Sequence, residues 1–195
     1  MRRDPEATRA RILEAATAEF AEYGISGARV NRIAAKARAN KQLIYAYFGD
    51  KDKLFSIVLS NAFRQYREAT PFDAFDIPTY VGAFFDALQD SPVLRRLILW
   101  ERLERHDFVG QVTSFRDQVS AVARAQEAGK LTASMAPTDL LALARGVATA
   151  WAIAPRALSI IASEADLKDE VERHRAAAIE AARRLIAVQP SENEA

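Results

Sequence analysis

The 195-residue sequence contains no cysteine. Disulfides, cysteine-ligated zinc and thiol chemistry are excluded, and the chain suits a reducing compartment, so a cytoplasmic protein is expected. Histidine occurs twice, as His106 and His174. They are too far apart in sequence, with no cysteine to join them, for a metal site to be expected. His106 falls at a helix end, and His174 is spaced with Val171, Ala178 and Leu185 in what reads as a helix–helix seam. No glycine-rich phosphate loop, nucleophile–base constellation or paired-carboxylate signature is found, so no cofactor is expected and an all-α enzyme is only a remote reading. No charge-flanked apolar segment opens the chain, so no signal peptide is expected. The most apolar later run, Leu140 to Ala162, is interrupted by Arg145, Pro155 and Arg156, which reads as a buried helix and not a membrane span. No stretch alternates with period two for long enough to make a strand.

What is present is apolar residue enough for a substantial core, 50% of the total, and a charge distribution that the net value of +1 conceals. Residues 1–56 hold 11 Lys and Arg against 7 Asp and Glu, and the remainder 16 against 19. A basic N-terminal part on a slightly acidic body fits phosphate contact at one end, although chance also produces so small an excess.

Helical periodicity runs throughout, and the expected fold class is all-α with roughly nine helices. A first helix from about Glu6 to Tyr23 stacks Ile12, Ala16 and Phe20, and Gly24 stops it where a left-handed cap costs little. A helix from Lys51 carries Phe55, Val58, Leu59, Ala62, Phe63 and Tyr66 and ends near Thr70. Pro71 and Pro78 bracket a loop, and Ile77 to Gln89 puts Tyr80, Phe84 and Leu88 on one helical face. Ser91-Pro92 opens a helix that is apolar on most sides (Leu94, Leu97, Ile98, Leu99, Trp100, Leu103) and so is expected to be buried. Phe108, Val112, Phe115, Val119 and Val122 space another, closed by Gly129. A long helix is expected from Pro137 to about Ala162, kinked at Pro155, and a last one from Asp166 to near Val188. Arg2 and Arg3 precede all this as a solvated tail within reach of phosphate, and a polar tail follows it.

Residues 29–54 carry the functional signal. Val30, Ile33, Ala34 and Ala37 recur at i, i+3, i+4 and i+7, and Asn40 is a good N-cap for a second helix that buries Ile44 and Phe48. Lys41, Gln42, Leu43 and Tyr47 then face outward, Gly49 breaks the helix, and Asp50 caps the next. Two short helices with a tight turn between them, the second polar and aromatic outside, make a helix-turn-helix. The ordered set Ile12-Leu13-x-Ala15-Ala16-x-x-x-Phe20-x-x-x-Gly24, Val30-x-x-Ile33-Ala34-x-x-Ala37 and Ile44-Tyr45-x-Tyr47-Phe48-x-x-Lys51-x-x-Leu54 resembles the DNA-binding domain of the tetracycline-repressor (TetR) family. It covers about the first quarter of the chain.

The resemblance implies a DNA-binding domain over 1–50 and a helical ligand-binding and dimerisation domain over 51–195. It places base contacts on Asn31, Lys41, Gln42 and Leu43, residue types that pair with adenine, guanine or a thymine methyl. It places phosphate contacts on Arg29, Tyr45, Tyr47 and Lys51, with Tyr45 alternatively packing on the first helix. Two positions depart from the family pattern. Arg38 stands where glycine is common, at a cost on the order of 1 kcal/mol if its φ is positive. Ala28 and Arg29 stand where threonine or serine is usual, so a cap is expected from Ser26 or Gly27.

In the body, Phe84, Phe85, Trp100, Phe115 and Trp151 either line the small-molecule cavity that the resemblance implies or fill an aromatic core. Glu101 either meets a cationic ligand or pairs with Arg105. Two late helices, one with Leu140, Leu143 and Val147, the other alanine-rich with Val171, His174, Ala178 and Leu185, match the pair that makes a four-helix dimer interface in the family. The partners implied are a palindromic double-stranded operator, a second copy of the chain and a small hydrophobic or amphipathic effector, with no membrane. The function implied is a homodimeric repressor released by that effector. The alternative is a DNA-binding regulator without an effector, whose body only dimerises or recruits a partner.

Overall fold

A computed structural model describes residues 4–104, 112–164 and 169–188. The expectations on Arg2, Arg3, Arg105, His106, Phe108, Asp166 and the polar tail lie outside the described residues. The described residues form ten helices and no strand: α1 (Pro5–Gly27), α2 (Val30–Ala37), α3 (Lys41–Phe48), α4 (Lys51–Ala69), α5 (Ile77–Asp90), α6 (Pro92–Glu104), α7 (Val112–Glu127), α8 (Pro137–Ile153), α9 (Arg156–Glu164) and α10 (Glu170–Ile186). Pro155 does more than kink one long helix. It lacks an N–H and forces Ala154 into an extended conformation (φ −60°, ψ 146°), so α8 ends there and α9 leaves at 71°.

The chain divides into two compact units, Met1–Gln65 with Ser91–Gln111, and Tyr66–Asp90 with Val112–Ala195. The boundary at residue 50 drawn from the sequence falls inside the first.

In the first unit, the Asp4 side chain caps α1 by accepting from the Glu6 and Ala7 N–H groups, and Ile12, Ala16 and Phe20 are fully buried. Phe20 meets Phe55 of α4 edge-on, with ring centroids 5.2 Å apart. Gly24 has φ +68°, a left-handed value that interrupts α1 before a last turn resumes at Ile25. This break frees backbone groups on both sides, and α6 takes them up with three side chains spaced one turn apart. Arg96 Nε and Trp100 Nε1 donate to the Ala21 carbonyl at 2.6 and 3.2 Å. Glu104 Oε2 accepts from the Ile25 and Ser26 N–H groups at 2.5 and 2.9 Å. A Cβ on residue 24 would stand 2.8 Å from the Trp100 ring. The expectation that α6 is buried on most sides is corrected. It buries Leu94, Leu97 and Ile98 but leaves Leu103 69% exposed, because one stripe is given to hydrogen bonds with α1.

In the second unit, α5 packs between α8 and α10. Gly82 permits a close approach, since a Cβ there would lie 2.9 Å from Ile179, and Asp86 accepts from Arg175 Nε at 2.8 Å. Tyr80, Phe84, Phe85 and Leu88 of α5 are buried with Val122 of α7 and Leu140, Leu141 and Ala144 of α8. Gly129 closes α7 at φ +66°, with Lys130 N–H returning to the Ala125 carbonyl.

Candidate nucleic-acid interface

The turn between α2 and α3 keeps its left-handed residue although that residue is an arginine. Arg38 has φ 50° and ψ 44°, and the Arg38 and Ala39 N–H groups return to the carbonyls of Ala35 and Ala34 at 3.2 and 2.9 Å. This is the Schellman pair, bought at about 1–2 kcal/mol for a residue with a Cβ. Arg11 of α1 adds a bond from Nε to the Ala37 carbonyl at 3.3 Å. Asn40 then caps α3, its side chain accepting from the Leu43 N–H at 2.7 Å. Ile33, Ala37, Ile44 and Phe48 close the core beneath.

The start of α2 corrects the capping expectation. Neither Ser26 nor Gly27 caps it. Arg29 occupies the N-cap position without a side-chain bond, and Glu19 of α1 supplies the acceptor instead. Its Oε1 takes the Arg29 N–H at 2.8 Å and Arg32 Nε at 2.7 Å, while Glu19 is only 9% exposed. Arg32, held also by the Gly27 carbonyl at 2.9 Å, lies 4.2 Å over the Tyr23 ring, and the hydrogen bond it donates to Glu19 raises its pKa. Sequence reasoning missed Glu19. The available signal was a carboxylate on the same helical face as Ala16 and Phe20.

Five of the eight expected DNA contacts converge. Arg29, Asn31, Lys41, Tyr45 and Lys51, with Ala28 and Val30, line an open cleft of about 340 Å³. Lys41 Nζ lies 5.6 Å above the Tyr45 ring, and Lys51 Nζ reaches the Ala28 carbonyl at 3.5 Å. Tyr45 is 39% exposed, with Lys41 over its ring. Lys51 is placed by the start of α4. There Asp50 accepts from the Lys53 N–H at 2.7 Å, and this bond holds the Asp50 carboxyl below its ordinary pKa. Three cations, a phenol and an amide facing one cleft can take a phosphate and an adjacent base edge. Gln42, Leu43 and Tyr47 do not line it. Gln42 is exposed on α3, Leu43 is half-buried where full exposure was expected, and Tyr47 is half-buried with its ring against Phe48.

The residues expected around a ligand are divided. Trp100 and Glu101 are on α6, both half-buried, with Trp100 held against α1 in the first unit. Phe84 and Phe85 are core residues of α5, 1% exposed, and Phe115 of α7 is half-buried. Trp151 is stacked on His174, ring centroids 3.4 Å apart at 15°. The residues expected at a dimer interface divide as well. The chain's own packing buries Leu140, His174 and Ala178. Val147 and Leu185 are half-buried, and Leu143 and Val171 are 50% and 55% exposed. The apolar and alanine-rich faces of two helices do not by themselves register that α8 and α10 pack on each other and on α5.

An all-α chain whose N-terminal helices present a basic, capped helix-turn-helix belongs to the class of helix-turn-helix transcription regulators. The comparisons with known proteins carry this to a family. The profile for "Bacterial regulatory proteins, tetR family" matches residues 12–58, and that for "Tetracyclin repressor-like, C-terminal domain" matches 76–184. The HTH-type transcriptional repressor SCO4008 of Streptomyces coelicolor is 40% identical over 94% of this chain and 97% of its own. The HTH-type transcriptional repressor NicS of Pseudomonas putida is 39% identical over 51% of this chain and 43% of its own. The crystal structure of the transcriptional regulator SCO4942 from Streptomyces coelicolor, 37% identical, superposes with a TM-score of 0.81 over 93% of this chain and 99% of that one. The chain belongs to the tetracycline-repressor family, and so is a DNA-binding transcription regulator and not an enzyme. Among the described residues no single helix is long and apolar enough to cross a membrane.

Proposed function

We propose that the protein is a homodimeric repressor that binds a palindromic operator and leaves it when a small molecule occupies the helical body. Residues 1–50 read the DNA, and residues 51–195 carry the effector and the second copy. The observation that carries DNA reading is the cleft in which Arg29, Asn31, Lys41, Tyr45 and Lys51 meet. Repression is supported by the names of two relatives, SCO4008 and NicS, both transcriptional repressors. Dimerisation is supported by the apolar surface that α8 and α9 leave uncovered, with Leu143, Ile153, Leu158, Ile160 and Ile161 each about half exposed or more. Two heads spaced about one DNA turn, ~34 Å, hold two half-sites together where one head makes few contacts. An effector lowers operator affinity by its differential affinity for the body states with the right and wrong head spacing.

The test begins with an operator selected from random duplexes. Lys41→Ala or Gln42→Ala relaxes the base preference at one position per half-site by ~1–3 kcal/mol and leaves the unfolding midpoint unchanged. Lys51→Ala weakens all sequences alike and lowers the salt slope of binding by about 1. A salt slope that ignores Lys51 contradicts its assignment to phosphate.

A further inference from the structure

Among the described residues, the body holds a cation without a counter-charge. Arg145 of α8 is half-buried, and its guanidinium lies 4.5 Å over the ring of Phe84 from α5 and 5.0 Å over that of Phe115 from α7. One Nη1 hydrogen goes to the Tyr80 hydroxyl. Among the described residues, the carboxylates in ion pairs belong to other cations, and none lies within 4.0 Å of Arg145. The aromatic faces and the phenol oxygen attract a guanidinium, but they do not neutralise it.

Two buried neutral groups of the same unit are incomplete too. The Tyr66 hydroxyl, at the end of α4, makes no hydrogen bond although Tyr66 is only 6% exposed. Burial chiefly, then the charge and the hydroxyl of Tyr80 beside it, push its pKa up against a smaller pull from Arg145, so it stays protonated. Its ring stands 4.9 Å from that of Phe84, which fixes it in the same cluster. On α7, Gln118 Oε1 is buried without a partner, and Gln118 follows Phe115 by three residues on one helical face with Val122. Native proteins rarely leave buried polar atoms unpaired, and a water, an ion or a ligand atom can complete them. A guanidinium with donors to spare, a buried phenol beside it and aromatic walls together describe a receptor for a flat acid.

We propose that the effector is an aromatic carboxylic acid. Its carboxylate is taken by Arg145 and the Tyr66 hydroxyl, and its ring packs against the aromatic side chains around them. This rests on the reading of the body as an effector domain. A cationic ligand would meet Arg145 as a like charge, and a neutral one would leave the guanidinium unpaired.

The experiment measures the melting temperature of the full chain with benzoate, salicylate and naphthoate, with the neutral amide of each, and with benzamidinium, at matched concentrations. One or more acids raise it by mass action and the matching amides do not. In Arg145→Met the acid's dissociation constant rises roughly 10- to 100-fold, the loss of a charge-assisted bidentate contact. In Tyr66→Phe it rises roughly 3- to 10-fold, the loss of one hydrogen bond. Tyr66→Phe carries the test alone should Arg145→Met fail to fold. The acid class is overturned, with the effector domain intact, if amides or benzamidinium raise the melting temperature as much as the acids do. The site is overturned if an acid's effect survives in the variants. If no compound of any charge raises the melting temperature, the effector reading falls together with the acid.

Discussion

In the unit that holds α1, α2, α3 and α6, Glu19, Arg32, Arg96, Trp100 and Glu104 each end on a hydrogen-bond partner. In the unit that holds α5 and α7 to α10, the picture reverses. The three buried side-chain atoms that lack a hydrogen-bond partner among the described residues, Tyr66 Oη, Gln118 Oε1 and His174 Nε2, are all found there. The proposed function gives this contrast a reason. A DNA reader needs its side chains fixed before it meets the duplex, since every rotor frozen on binding subtracts from affinity. A ligand-responsive body needs groups whose bonding is completed only by the ligand, because only a differential interaction can shift an equilibrium.

The largest effect comes from breaking the satisfied side. Glu19→Ala removes the acceptor that caps α2 and is expected to lower stability by about 1–2 kcal/mol in urea unfolding, with Glu19→Gln recovering part of it. An unchanged midpoint would mean that the cap contributes nothing and that the head is not the better-bonded unit. Arg38→Gly sharpens the comparison from the other direction. It relieves the one left-handed non-glycine residue of the head and should gain roughly 0.5–1 kcal/mol, after the added freedom of glycine in the unfolded chain, without changing operator preference. The smallest effect concerns the body. Burial is the main cause that lowers the His174 pKa below 6.5, with Glu170 opposing and Arg173 assisting. The unfolded chain therefore binds a proton that the folded one resists, and stability is lost as the pH falls below about 6.5. Thermal melts across pH 5–8 check this, and His174→Phe, which preserves a ring for Trp151 to stack on, should flatten the slope in that window.

Local chemistry was legible in the sequence. Asn40, Asp50, Gly24 and Gly129 act within a few residues of themselves: Asn40 and Asp50 start helices, Gly129 ends one, and Gly24 breaks α1, which resumes for a last turn to Gly27. The apolar stripe of α2 and the buried pair Ile44 and Phe48 were readable for the same reason, a period that needs no partner. The groups that sequence reasoning did not find are joined across the chain. Glu19 meets Arg29 across ten residues, Tyr80 meets Arg145 across 65 and Glu104 meets Ile25 across 79. No spacing rule spans such distances, because they are set by which helix faces pack. The expected interface was blurred for that reason too: apolar residues of α8 and α10 serve the chain's own core as well as any second copy, and periodicity alone does not divide them. Of the cleft, the members were legible and the company they keep was not. Gln42 and Lys41 are sequence neighbours, yet only Lys41 turns into it.

The stripe Arg96, Trp100 and Glu104 has a consequence for anyone who treats such regulators as interchangeable parts. The chain leaves the first unit at Gln65, runs through α5, and returns with α6 to hold the end of α1. A graft made at the end of the DNA-reading segment therefore separates Ala21, Ile25 and Ser26 from the side chains that match them, and the recipient supplies a helix written for some other α1. The portable module is discontinuous: α1 to Gln65 in the last turns of α4, together with α6. A chimera that carries the first piece alone inherits the reader's specificity but not the clasp that seats it.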